Sequence, residues 1–174
     1  MEEIKLRAFD RPAGISALTC GIAFGIAAVI YAVIPALSGF LWCFYFGYGL
    51  TVATGANPKN FKRYIACFLC GALWAIPYWY GTDWIMSLGV QNLLLARFIT
   101  EFVLNTALVY VHLHLLKKTW ASIPPCVFAG ITTVFGAKGW IGNVPYCQLS
   151  LFLGMSFCLL ATIAADRWIA WKQH

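Results

Sequence analysis

The chain has 174 residues, of which 61% are hydrophobic and 10% charged, with a formal net charge of +6 and a mean hydropathy of +0.77. Soluble domains carry about a quarter charged residues, so this composition excludes a soluble globular domain and predicts an integral membrane protein. The basic residues fall in short clusters between apolar runs, which is topology information and not the footprint of a nucleic-acid partner.

The segment Met1–Arg7 mixes acidic and basic residues, and no small-residue cleavage site follows the first apolar run, so it does not read as a signal peptide. Asp10-Arg11-Pro12 reads as a helix start with proline in the first turn. The first span is expected from Ala13 to Ile34, with Ala17, Gly21 and Gly25 at the small-xxx-small spacing that lets another helix approach closely. Pro35 ends it. The second span, Leu37 to Thr54, is rich in aromatics (Phe40, Trp42, Phe44, Tyr45, Phe46, Tyr48). A basic loop, Asn57 to Arg63, follows, and Asn57-Pro58 is a cap and first-turn signal. The third span is expected over Phe61 to Tyr80, and Tyr78-Trp79-Tyr80 with Trp84 reads as an interfacial aromatic belt. Residues 81–91 read as a connector. The fourth span, Asn92 to Leu116, ends at Lys117-Lys118, with Trp120 as an interfacial anchor. Pro124-Pro125 open a fifth span to Ala137, and Pro145 opens a sixth to Ala165.

The expected fold is therefore all-α: one membrane domain of six transmembrane helices, with both termini on one side. Lys5, Arg7, Arg11, Lys59, Lys62, Arg63, Lys117, Lys118, Arg167 and Lys172 fall on that side, and Lys138 falls on the other. Cations concentrate on the cytoplasmic face, so the termini are expected in the cytoplasm. The seven cysteines fall almost all within apolar runs. An odd number at lipid depth argues against a disulfide framework, and Cys67-x-x-Cys70 reads as small residues packing between helices.

An internal repeat is also expected. Gly49-Leu-Thr51-Val-Ala-Thr-Gly55-Ala56 and Gly130-Ile-Thr132-Thr-Val-Phe-Gly136-Ala137 share the pattern G-[LI]-T-x-x-x-G-A. The copies are three spans apart and so have opposite orientation. This predicts a 3+3 inverted repeat, with residues 12–81 as the first unit and 91–166 as the second. Such repeats are typical of transporters and some channels.

The run Phe128-Ala-Gly130-Ile-Thr-Thr-Val-Phe135-Gly-Ala-Lys-Gly139-Trp140 resembles the F-x-G-x(4)-F-x(3)-G pattern of a small group of bacterial inner-membrane proteins, the YcdZ-like family of unknown function. Gly39-Phe-Leu-Trp42, Tyr45-Phe46 and Gly71-Ala-Leu-Trp74-Ala75 are similar too. The resemblance spans about residues 35 to 165 and implies a compact multi-span protein of the bacterial inner membrane, with no activity attached. In size and layout the chain is also similar to small urea and amide channels and to acetate/succinate transporters, at the level of architecture alone.

The fourth span carries the chemistry. Arg97, Glu101 and Asn105 recur at steps of four, which places them one above another on a single helix face. A charge facing lipid costs several kcal/mol, so this face is expected to look at protein or water. Glu101 would bind a cation, relay a proton or hydrogen-bond an amide, with Arg97 a turn above and Asn105 a turn below; the bland alternative is a buried Arg97–Glu101 ion pair that fixes packing. Trp42, Tyr45, Tyr48 and Trp74 are further candidates for lining a narrow passage, with packing and lipid-facing belts as the alternative; Thr51 and Thr132 would donate a hydroxyl to a solute or back-bond within their own helices. No enzyme constellation, cofactor motif or metal set is present: His112 and His114, two residues apart, point to different faces. The sequence thus predicts a channel or facilitator for a small, mostly uncharged polar solute of the urea, amide or ammonia type, working as a homo-oligomer. The alternatives are a proton-coupled transporter of a small organic acid or cation using Glu101, and a non-transporting partner subunit.

Overall fold

The computed structural model describes residues 11–137 and 141–173. Residues 1–10, 138–140 and 174, with Lys5, Arg7, Asp10, Lys138, Gly139 and Trp140 among them, lie outside the described residues. The elements are α1 (Arg11–Val33), α2 (Leu41–Ala53), a 3-10 turn (Pro58–Asn60), α3 (Phe61–Ser87), α4 (Leu93–Tyr110) with a π turn (Val111–Leu115), α5 (Pro124–Gly136), a second 3-10 turn (Ile141–Asn143) and α6 (Val144–Gln173). No strand occurs among the described residues.

Four helical segments are long and apolar enough to cross a bilayer: Gly14–Val33, Pro58–Ser87, Leu93–Leu115 and Val144–Trp171. The chain is a membrane protein. The expectation of six full spans is narrowed, because α2 and α5 have 13 residues each. At 1.5 Å per residue they reach about 20 Å, short of a hydrocarbon core of about 30 Å. Local chemistry sets these limits. α2 stops where Gly55 and Ala56 take positive φ values of 93° and 44°, and α5 is confined by Pro124-Pro125 at its start. Two other expectations are corrected in the opposite sense. α3 runs through Pro77 and the anticipated connector to Ser87, and α6 continues beyond Ala165 to Gln173.

Caps fix the helix starts. The Asn92 side chain accepts hydrogen bonds from the backbone N–H groups of Leu94 (3.0 Å) and Leu95 (3.1 Å), satisfying two of the orphan donors of a helix N-terminus. Asn57 accepts from the Lys59 N–H in the same way.

Glycines set two close crossings. A Cβ at Gly71 of α3 would lie 2.0 Å from the Val127 carbonyl oxygen, and one at Gly130 of α5 would lie 2.1 Å from the Phe68 carbonyl oxygen. The α2–α6 pair is built alike: a Cβ at Gly47 would lie 2.3 Å from the Leu151 oxygen, and one at Gly154 would lie 2.1 Å from the Phe44 oxygen. Backbones touch at both places, which is how membrane helices gain packing without a hydrophobic drive between them.

α3 and α5 run side by side in the same direction. Cys67 near the start of α3 donates to the Trp120 carbonyl (3.4 Å) and accepts from the Ile123 N–H (3.4 Å), while near its end Tyr78 packs edge-on against Phe135. α4 returns antiparallel along α3. The main helix pairs, α2 with α6, α3 with α5, α3 with α4 and α1 with α6, all join the first three helices to the last three. The core lies between α3, α5 and α6, where Tyr64, Phe68, Leu108, Val127, Leu151 and Met155 are fully buried. A second cluster under α1 holds Ala27, Tyr31, Phe44 and Tyr48.

Candidate functional site

α4 buries one face, Ala96, Thr100 and Leu108, and turns Arg97 and Glu101 outward with Asn105 half-buried. The stripe thus faces away from the monomer core. It opens onto a cleft of about 380 Å³ between α3, α4 and α5, lined by Tyr78, Trp79, Thr82, Arg97, Glu101 and Phe135.

Each wall has a local cause. Gly81 has room for the Thr100 methyl at its side, so α3 and α4 close together beneath the cleft. The Gly71–Gly130 crossing brings α5 alongside α3 and carries Phe135 onto Trp79, whose rings stack at 6.1 Å and 18°. Tyr78 is 7% exposed, and its buried hydroxyl has no hydrogen-bond partner; it lies within electrostatic reach of the Glu101 carboxylate.

The Glu101 carboxylate is not clasped by Arg97. Asn105 Nδ2 donates to Glu101 Oε2 at 3.0 Å and to the Glu101 carbonyl at 2.8 Å, and Arg97 makes no ion pair among the described residues. The buried ion pair that would reduce the stripe to a packing device is therefore absent. A second open groove of about 690 Å³ continues down α4, lined by Asn105, Thr106, Val109, Tyr110, Leu113 and His114. Polar groups thus follow one another along α4 from Arg97 to His114.

The other candidate residues lie elsewhere. Thr51 is fully buried and donates to the Gly47 carbonyl of its own helix (2.7 Å). Thr132 is exposed and bonds back to Phe128 (2.8 Å). Both are in-helix back-bonds. Trp42 packs over Gly136, and Tyr45 stacks on Phe24 at 4.7 Å. None of these four lines the Glu101 cleft. Trp74 is held by His112: its indole N–H donates to His112 Nε2 at 3.1 Å.

His112, fully buried in the π turn, escaped the sequence reading except as a doubtful ligand. Its Nδ1 pairs with the Ala121 carbonyl, an acceptor, so Nδ1 carries the proton and Nε2 accepts from Trp74. The ring is the neutral imidazole, with Cys70 Sγ 3.8 Å from Nε2. This knot ties the α4–α5 connection to α3, as does Arg63, which donates to Ser122 Oγ. The basic loops around Lys59 and Lys117 are therefore at one end of the bundle. Among the described residues all seven cysteines are free, and no group of three or more His, Cys, Asp or Glu side chains is placed to hold a metal.

Tyr78, Trp79 and Phe135 were legible only as belt or packing aromatics, since the cleft needs α3 and α5 in contact. A further buried polar group sits inside the bundle: Gln148 Nε2 donates to Thr133 Oγ1 at 2.9 Å, leaving its Oε1 unpartnered.

No curated protein and no solved structure matches the chain. A family described as "protein of unknown function (DUF1097)" matches residues 17–166, nearly the whole of the membrane domain. The chain belongs to the DUF1097 family.

Proposed function

We propose that the protein is a channel or facilitator for a small polar solute of no net charge, and that the solute's route passes the cleft at Glu101. The observation that carries this reading is the open cleft reaching a carboxylate and a guanidinium that are not paired with each other. Charges at this depth are expensive and are kept where water, protein or cargo meets them. Glu101 is eight residues into α4, or about 12 Å by helical rise, well below the membrane surface. The groove that continues from Asn105 to His114 extends the polar track toward the basic end.

A 3+3 inverted repeat supports the transport reading. Leu41 and Pro124, Pro58 and Ile141, and Phe61 and Val144 begin equivalent elements, and each pair is 83 positions apart. The touching glycines keep the same displacement: Gly47 with Gly130 and Gly71 with Gly154. This register replaces the one suggested by the G-[LI]-T-x-x-x-G-A motif, which is two residues shorter. Two short helices in corresponding positions of two halves are a pointer to transporters built from repeats.

The cleft opens to the outside of the monomer, so a second copy is the natural cover, and the protein is proposed to act as a homo-oligomer. The clustering of Lys59, Lys62, Arg63, Lys117 and Lys118 at one end supports cytoplasmic termini in a bacterial inner membrane. The residues resembling the YcdZ-like group, Gly39 to Trp42 and Phe128 to Phe135, lie within the matched span and support placement beside that group.

Proteoliposome flux tests the function. A facilitator gives non-saturating urea or amide flux without a pH gradient, reduced at least tenfold by Glu101→Gln. Saturable flux that requires the gradient would transfer the reading to a proton-coupled transporter. No flux of any small solute would leave a partner subunit and refute permeation.

A further inference from the structure

The cleft between α3, α4 and α5 offers more than a polar lining, and its chemistry narrows the cargo. Arg97 and Glu101 present opposite charges one helical turn apart, where Cβ atoms are about 5–6 Å from each other. They do not neutralise each other, because Asn105 holds the carboxylate from the other side. Beside them stand the stacked Trp79 and Phe135 rings and the buried, unpartnered Tyr78 hydroxyl. From these features we infer that the cleft is a binding site for a small zwitterion, an amino-acid-sized molecule bearing one ammonium and one acidic group. The inference rests on the proposed function and specifies the solute class of the same site.

An ammonium placed against Glu101 and the aromatic wall gains a charge-assisted contact and a cation–π contact, but a simple cation leaves Arg97 uncompensated. A simple anion at Arg97 leaves Glu101 uncompensated. An uncharged amide compensates neither. A zwitterion satisfies both at once, and the whole assembly has no net charge, which matters most where the surroundings are lipid. The headgroup of a zwitterionic phospholipid carries the same pair of charges, so lipid and free solute share this chemistry.

The test uses the full chain in nanodiscs, titrated calorimetrically with glycine betaine, tetramethylammonium, acetate and urea. One set of discs is pure phosphatidylglycerol, and another contains phosphatidylethanolamine. Betaine is expected to bind at least about tenfold more tightly than the other three probes, the loss expected for one missing charge-assisted contact. Glu101→Gln and Arg97→Gln, both at outward-facing positions, are each expected to lower betaine affinity by about the same factor and to erase the preference, with an unchanged melting temperature. Binding in phosphatidylglycerol discs that disappears in phosphatidylethanolamine discs would support the zwitterion site and identify the headgroup as its occupant. Betaine no tighter than tetramethylammonium, or betaine affinity unaffected by Arg97→Gln, would overturn the inference. Glu101-dependent urea flux without betaine binding would sink the zwitterion assignment and leave the facilitator standing; loss of all flux would remove the facilitator itself.

Discussion

Replacing Gly71 by alanine tests the packing on which the site depends. The new Cβ would sit 2.0 Å from the Val127 carbonyl oxygen and 2.9 Å from Gly130 Cα. Both are backbone atoms, so no side-chain rotation relieves the overlap, and α3 and α5 must move apart by about an ångström or more. Overpacking of a well-filled core costs about 1–3 kcal/mol, and a clash against backbone belongs at the upper end. For a chain of this size roughly 3 kcal/mol corresponds to a fall of about 10 °C in melting temperature, readable by tryptophan fluorescence in detergent. Separation of α3 from α5 also withdraws Phe135 from Trp79, so Glu101-dependent flux should fall with stability. Gly49 is the control: nothing lies within 4 Å of its added Cβ, and alanine there should be neutral or slightly stabilising, since glycine costs about 0.5–1 kcal/mol inside a helix. A Gly71→Ala protein melting with the wild type, or a Gly49→Ala protein falling as far, would refute the crossing geometry.

Removing the His112 ring by alanine strips partners from the Trp74 indole and the Ala121 carbonyl and leaves a cavity; a loss of about 2–4 kcal/mol is expected, whereas Trp74→Phe should cost less because the His112 ring stays in place and its Nε2 keeps Cys70 Sγ at 3.8 Å. Both would be measured as melting temperatures. Thr51→Val and Thr132→Val remove hydroxyls bonded only to their own helices, so flux should match the wild type, and a flux defect in either would return that threonine to the pathway. Single cysteines at Lys59 and Lys118, in a background without the native cysteines, should react with an impermeant maleimide from the same side of the membrane; opposite-side labelling would contradict the shared end of the two basic loops.

Much of the fold was legible because lipid imposes simple rules. The apolar runs gave the six helices; Pro124 stands at the first position of α5, Asn57 caps the 3-10 turn that leads into α3, and Asn92 caps α4. The length of α2 was less visible, since the apolar run begins at Leu37 while the chain is still turning and the helix begins only at Leu41; α5 keeps its expected bounds within one residue. Pro77 lies inside α3, because a long membrane helix tolerates one missing hydrogen bond. The π turn at Val111–Leu115, which holds the buried His112, has no residue signature. The stripe of Arg97, Glu101 and Asn105 was readable from spacing alone. Its surroundings were not: Trp79 and Phe135 are far apart in sequence and meet only because Gly71 and Gly130 let two backbones touch. Thr51 and Thr132 offered either a solute contact or a back-bond, and the nearest carbonyl of the same helix takes each hydroxyl.

The central claim is that the Glu101 side chain is reached by water inside the membrane. A cysteine placed at position 101, with the native cysteines replaced, reports this directly through its reaction with a charged methanethiosulfonate, which requires an aqueous thiolate. The account predicts ready modification at position 101, slowed by saturating solute, and no modification of a cysteine at Phe98, an exposed apolar position of the same helix outside the cleft. An inert cysteine at 101, or equal reactivity at 98, would contradict it.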